Sequence, residues 1–427
     1  GQLFPICGRP SGNCADTLAT ASAVLGEPAL AIGPVPEETY WMCGSAAQAA
    51  ISHGGTRWAS TALTASGYFV SRTTRGDHLI FDAGPHGYLN GGHAHADALS
   101  CTLEVAGRAL LIDPGTATYT MDPEVRDRFR GTRMHNTLML DGRPQSEPRG
   151  AFHWRSAASS EARICRSLSD CDYAEGAHDA YAPRRHVRGV LAIHGLGWWV
   201  LDHILGQGTA AIESNWHLHP SWRCTVAGPH VIALQSGPAA LALASSVPIG
   251  LLAPGTDPLA MWSPAYGAIE PSPVIRASTL APLPASLAIF IPAARELADK
   301  LAMAPSQIDV APGAAWHGCA FRVRWKGGAM TILSAVERSG GIERIAAAPS
   351  ERWGTAELQT DARVAVVIDY SSGPSEAILV DGAFVGARPA HSLVSLSRRV
   401  PLLRLPSSSL ASSMHEVGSQ TGSPQDT

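Results

Sequence analysis

The sequence predicts a mainly β protein, a large multi-stranded antiparallel β-sandwich that follows a short helical segment. Three observations predict this class. From about Thr61 onward, short runs of alternating apolar and polar residues recur, as in Phe321-Arg322-Val323-Arg324-Trp325. Turn formers separate the runs at Asp141-Gly142, Lys326-Gly327-Gly328 and Asp381-Gly382. Before Thr61 the pattern is helical, and two helices without a partner layer do not make a domain.

The first helix is expected over 15–25 (ADTLATASAVL), with Asn13 as its cap and Gly26 as its stop. The second is expected over 37–51. Glu37 and Glu38 fall in its first turn, where negative charge suits the helix dipole, and His53-Gly54-Gly55 end it. Strands are expected at 67–73, 78–82, 99–105, 109–112 and 137–140. Further ones follow at 187–193, 198–204, 212–218, 231–235, 287–291, 320–325, 330–336, 364–369 and 377–380. The division expected is residues 1–60 helical, 61–390 β-sandwich, and 391–427 a strand end with a disordered tail. From Pro406 that tail is rich in Ser, Gly and Gln.

Composition narrows the function classes. The 427 residues are 45% hydrophobic, enough for a sizeable core, and only 16% charged, with a net charge of -4. No strong field draws the chain to nucleic acid, and basic residues do not interleave with aromatics. No apolar run is long enough for a membrane helix. An acidic substrate would therefore need a locally basic cleft. Eight cysteines without a CxxC pair read as buried thiols, not as a disulfide framework or a zinc ribbon. Residue 1 is Gly and no leader pattern follows it, so either a leader was removed or the chain starts in mid-protein.

The chemistry concentrates between Gly92 and Asn136. In GGHAHADALS, His93, His95 and Asp97 recur at spacing two and would share one face of an extended segment. Burying two imidazoles and a carboxylate there is costly unless they bind something or each other. The strand 109–112 then ends in Asp113 before a Pro-Gly turn, and GTRMHNT places His135 and Asn136 at the start of another strand. A His-x-His, an Asp and a third His form a donor set suited to a borderline divalent metal such as zinc. The residues alone leave other readings open. Asp113 also suits an Asx turn, and His135-Asn136 also suit the satisfaction of buried backbone groups.

These blocks taken together, GHAHADALS, LLIDPGTATY, RDRFRGTRMHNT, LDGRPQSEPRGAFHW and HVRGVL, resemble the heparinase II/III family of polysaccharide lyases in both order and spacing. The resemblance is dense from Gly84 to about Leu218 and thinner to Gly386. It implies an α/α toroid followed by an antiparallel β-sandwich, so residues 1–60 would be the last helices of a truncated toroid. It implies β-elimination on a uronic-acid-containing polymer. His93 matches the catalytic histidine, and Tyr119 lies where relatives place a substrate-contacting tyrosine. His95, Asp113 and His135 match the positions of a metal, often zinc. Asp97 would orient His95 from behind. Read from the residues, Arg130 and Arg133 either clamp uronate carboxylates or sit on a solvated helical turn paired with Asp122, Glu124 and Asp127, and Asn136 is expected to contact substrate. Arg126 and Arg128 belong to the same basic cluster. His186 and Arg188 recur in the family pattern and read as structural.

The family also draws a Tyr and an Asn or His from its toroid, upstream of Gly1. The partners expected are an acidic polysaccharide and a second copy of the chain, with no nucleic acid and no membrane. A periplasmic location is favoured by the family resemblance, and a cytoplasmic one stays open because no leader is visible. Two rival readings stay open: a non-catalytic carbohydrate-binding or structural β-sandwich that keeps the metal site, and a metal-dependent hydrolase.

Overall fold

The computed structural model describes residues 14–50, 59–339, 348–387 and 391–406. The protein is mainly antiparallel β after short helices, as the sequence predicts. It divides into two compact units. One comprises the described residues within Gly1–Ser159, Ile212–Arg223 and Leu251–Arg276. The other comprises those within Ser160–Ala211, Cys224–Gly250 and Ala277–Thr427.

In the first unit, α1 (Ala15–Leu25) ends at Gly26, whose φ of 65° only glycine adopts freely. The expected cap Asn13 and the stop at His53-Gly54-Gly55 lie outside the described residues. α2 (Glu37–Cys43) is shorter than predicted. Gly44 takes a φ of 55°, and the run Gly44–Ala50 continues as 3-10 helix. Small residues at that tightened turn leave little side-chain packing to hold a full α-helix.

A five-stranded meander follows: β1 (Thr61–Leu63), β2 (Tyr68–Arg72), β3 (His78–Asp82), β4 (Cys101–Val105) and β5 (Arg108–Leu111), hydrogen-bonded in chain order. Phe69, Leu79, Phe81, Leu103 and Val105 point to one buried face, the period-two alternation read from the sequence. β4 starts later than predicted because Leu99 has a φ of 62°. The long connection between β3 and β4 carries the site. The helix α3 (Pro123–Phe129) is capped by Asp122, which accepts from the Val125 N–H at 3.0 Å. β6 (Leu138–Leu140) pairs with Ile212–Ser214.

The second unit is a sandwich. In one sheet Ala285–Pro292, Gly197–Leu205, Arg185–Ile193, Cys171–His178 and Ser160–Ser167 are successive antiparallel neighbours. The other runs through Trp316–Trp325, Gly328–Glu337, Val364–Tyr370 and Glu376–Ala387. Their inner faces meet in one core that includes Tyr173, Leu191, Trp199, Phe290, Phe321, Ile332, Val366 and Ile378. Asp381-Gly382 does not end a strand as expected. The strand continues through it with a bulge, Asp381 at a φ of 50°.

Buried histidines make this unit acid-sensitive. His178 and His186 are 2.9 Å apart, His186 bonds Asp202 at 2.6 Å, and Arg188 also binds Asp202. Burial holds His178 well below the ordinary imidazole range, His203 down to about 3 and His317 down to about 4. Each of these is depressed in the folded state, so the unfolded chain takes up the proton first. The stability is fully present above the unfolded value near 6.5 and is lost as pH falls toward the folded values. Each such proton costs about 1.4 kcal/mol per pH unit. Urea midpoints followed by tryptophan fluorescence are therefore expected to drop steeply from about pH 6.5 to pH 4. A midpoint unchanged across that window would overturn the assignment.

Candidate functional site

The site forms where three chain segments meet in the first unit: the β3–β4 connection with His93 and His95, the exit of β5 with Asp113, and the turn after α3 with His135. The 91–100 stretch is not the extended segment expected. Gly91 and Leu99 both have positive φ, so it turns back on itself. As a result His93 is exposed and His95 buried, not side by side on one face.

His95, Asp113 and His135 come together, with one donor atom from each within 4.8 Å of the others. His135 Nδ1 meets Asp113 Oδ2 at 2.7 Å, and the His95 and His135 rings lie 5.1 Å apart. His95 Nε2 faces the Thr116 hydroxyl at 3.1 Å and Arg126 Nη1 at 3.3 Å. Arg126 can donate there only to an unprotonated nitrogen.

Burial and mutual charge set the protonation of the three donors, and a metal would take the place of the His135 proton. Burial, followed by the charge of His135, holds His95 well below its ordinary range, so it is neutral. Burial would raise Asp113, but the charge and hydrogen bond of His135 outweigh it and keep the carboxylate ionised. His135 is raised, because Asp113 outweighs the opposing effect of burial. Two further carboxylates crowd the pocket. Burial pushes Asp82 up to about 6 and Asp97 up to about 7. Burial is the leading cause of both shifts, and the neighbouring carboxylates add to it. Among the described residues, His135 Nε2, fully buried, finds no hydrogen-bond partner. A divalent ion would meet the donor set and the charge together, so the His95, Asp113 and His135 group could hold a metal. The Arg126 guanidinium opposes a cation beside His95, and the ionised Asp113 favours one.

The other expected site residues separate. His93 and Tyr119 come together, their rings 5.3 Å apart and edge to face, with Phe152 5.7 Å from His93. Asp97 does not back His95 as expected. Its charge is felt by His135, Asp82 and Asp113, while Thr116 and Arg126 orient His95. Asn136 is buried and clamps strand ends. Its Nδ2 donates to the Cys101 and Ile112 carbonyls at 2.8 and 2.9 Å, and its Oδ1 accepts from His217 N. Those bonds fix Asp113 and His135 next to it, and they correct the substrate-contact role expected of Asn136.

Arg130 is likewise fully buried. It binds Asp127 and the Ala151 and Gly150 carbonyls and stacks on Trp154, while its own carbonyl accepts from Ala96 N. It braces the His95 loop and has no face for a polymer. Arg133 is half exposed and pairs with Glu213 at 3.0 Å, so it alone of the three keeps a solvent face.

Sequence reasoning missed Asp82, Thr116 and Tyr266. Asp82 was legible by the same sign that marked Asp113, an acid at a strand end before a Pro-Gly or Gly-Pro turn. Tyr266, remote in sequence, had no such sign.

The sequence matches the family described as "Heparinase II/III-like, C-terminal" over residues 55–280, more than half of its length. The chain belongs to this family. The heparinase II/III-like match covers every residue of the site, from Asp82 to Tyr266. No curated protein matches the chain by sequence. Among solved structures it is similar in fold to the heparan sulfate lyase HepC from Pedobacter heparinus. That match has a TM-score of 0.56 and 17% identity over 79% of this chain and 50% of that one. A structure named Heparinase III matches with a TM-score of 0.59 and 15% identity, over 79% of this chain and 51% of that one. The chain thus spans about half the length of these structures.

Proposed function

We propose that this chain is the β-rich portion of a polysaccharide lyase that cleaves a uronic-acid-containing polymer by β-elimination. The observation that carries the reading is the pairing of exposed His93 with Tyr119, 5.3 Å apart, on loops anchored by the buried His95, Asp113 and His135 group. β-Elimination needs a base for the C5 proton and an acid for the departing 4-oxygen. His93 and Tyr119 can exchange such protons at one sugar. Tyr119 has the Arg126 guanidinium over its ring, 4.9 Å from the centre, a contact that holds the ring in place. Arg133, half exposed and paired with Glu213, is the arginine proposed to meet a uronate carboxylate.

The metal proposed is zinc, held by His95, Asp113 and His135. Its chemistry when bound is that of a rigid charged crosslink between three segments. His93 lies two residues from one ligand and Tyr119 six from another, so fixing those ligands fixes the pair. Residues 1–60 are proposed to be the last helices of an α/α toroid. Exposed Val24, Leu25, Trp41 and Met42 on α1 and α2 leave apolar surface that a helical layer would cover.

The test is incubation of the full chain with heparan sulfate, alginate and other uronate polymers, following the ultraviolet absorbance of an unsaturated uronate. Rising absorbance with shortened chains means that His93 and Tyr119 suffice for elimination; absorbance only from a longer product that carries the toroid means that the upstream Tyr and Asn or His are required. Chain shortening without absorbance would replace elimination by hydrolysis. Binding without shortening would make this a carbohydrate-binding sandwich.

A further inference from the structure

Tyr266 lies about 150 residues along the chain from Tyr119, yet the fold brings the two rings together. They are nearly parallel, at 24°, with centroids 5.6 Å apart. Phe152 packs on Tyr119 with the same angle and spacing. The loop that carries Tyr266 is held firmly. Ser263 N donates to the Pro114 carbonyl at 2.7 Å and Gly267 N to the Ala117 carbonyl at 2.8 Å, so two bonds bracket the tyrosine. Ser263 is fully buried, and its hydroxyl donates to the Ala265 carbonyl at 2.8 Å, closing the turn. Gly267 has a φ of 82°, the left-handed conformation that lets the chain reverse there. The segment that receives these bonds, Pro114–Ala117, joins Asp113 to Tyr119.

A protein gains nothing in stability by holding a large ring half in water. Tyr266 is 45% exposed, although its loop is ordered by backbone bonds that do not need the side chain. A ring fixed in this way presents a flat apolar face with a negative quadrupole. The C–H face of a pyranose is flat, apolar and weakly positive, and it complements that surface. The place is also right, because Tyr266 touches Tyr119, which touches His93.

We infer that Tyr266 and Tyr119 form the aromatic wall of a pyranose-binding subsite beside His93, with Tyr266 setting affinity by stacking on a sugar ring. The inference rests on the polysaccharide reading of the site. It places Tyr266 in binding and gives it no part in proton transfer.

The test is equilibrium binding, which does not depend on turnover. Size-defined hexasaccharides of heparan sulfate, chondroitin sulfate, hyaluronan and alginate are titrated against the full chain and its variants. Tyr266→Leu keeps apolar bulk against Tyr119 but removes the aromatic face, and about a tenfold rise in Kd is expected for the sugar that binds. Tyr266→Phe keeps the face and is expected to stay within about twofold of wild type. Metal content and melting temperature should be unchanged in both, which separates a lost subsite from a disturbed fold. Equal weakening in both variants would mean that the hydroxyl makes the contact, and would overturn the stacking wall. So would an unchanged Kd in Tyr266→Leu, or a wild type that binds none of the four sugars. If a sugar binds with this pattern but no unsaturated product forms, the subsite stands, and His93 and Tyr119 do not suffice for elimination.

Discussion

His95→Ala is expected to take the protein from about one equivalent of bound divalent metal to almost none. Three donors within 4.8 Å are the minimum for a tight site of this kind, and His95 is the one already neutral and ready to coordinate. The remaining Asp113 and His135 would revert to a simple buried ion pair. A ligand that binds only the folded state stabilises it by mass action, about 4 kcal/mol at a thousandfold excess over Kd. A chelator should therefore lower the melting temperature of the wild type and leave the His95→Ala melt almost unmoved. Elemental mass spectrometry and thermal melts with and without chelator check both. His93→Ala serves as the control, since His93 is exposed and outside the donor group, and it should keep its metal. A folded wild type that stays metal-free after reconstitution with zinc would reduce the cluster to an ion pair and remove the metal from the proposal.

Why the metal donors were legible while their surroundings were not is a question of sequence distance and burial. His95, Asp113 and His135 stand in ordered blocks whose residue types already suit a metal, and the structure gathers them. The supporting contacts come from carbonyls, which leave no mark in sequence. Arg130 looks like a substrate clamp because arginines often are, but its donors go to the Ala151 and Gly150 carbonyls. Asn136 reads as a polar residue beside a ligand, yet it spends its amide on Cys101 and Ile112. Only tertiary structure decides where such side chains end.

The fold shows the same division. Strands with period-two apolar patterns, such as His78–Asp82 and Val364–Tyr370, fall within a residue or so of where the pattern puts them. Cys171–His178 was missed because it is buried on both faces and holds Glu175, whose charge is met by Arg163 at 3.0 Å from the adjacent strand. A buried carboxylate breaks the apolar pattern while its partner keeps the strand in the core. The 91–100 stretch failed in the opposite way, since alternating His, His and Asp imitate a strand. Its turns are set by Gly91 and Leu99, both at a φ of 62°, and of these only the leucine's conformation goes unannounced by the residue type.

That failed expectation makes His93 the sharper test of mechanism. Because the loop turns, His95 goes inward to Asp113 and His135 while His93 stays at the surface against Tyr119 and Phe152. His93→Ala should then leave fold, metal content and melting temperature close to wild type. In the absorbance assay it should lower the initial rate by about 10²- to 10⁴-fold, the range for removing a positioned general acid or base. His93→Gln keeps the size and a hydrogen-bonding group but cannot cycle a proton at neutral pH, so it should be nearly as slow. A Gln variant close to wild-type rate would show that His93 holds the sugar and does not move the proton, and would pass the proton work to Tyr119. An Ala variant close to wild-type rate would remove His93 from the chemistry altogether. A large loss in both, with the metal retained, would separate the surface histidine that moves a proton from the buried one, two residues on, that holds the loop in place.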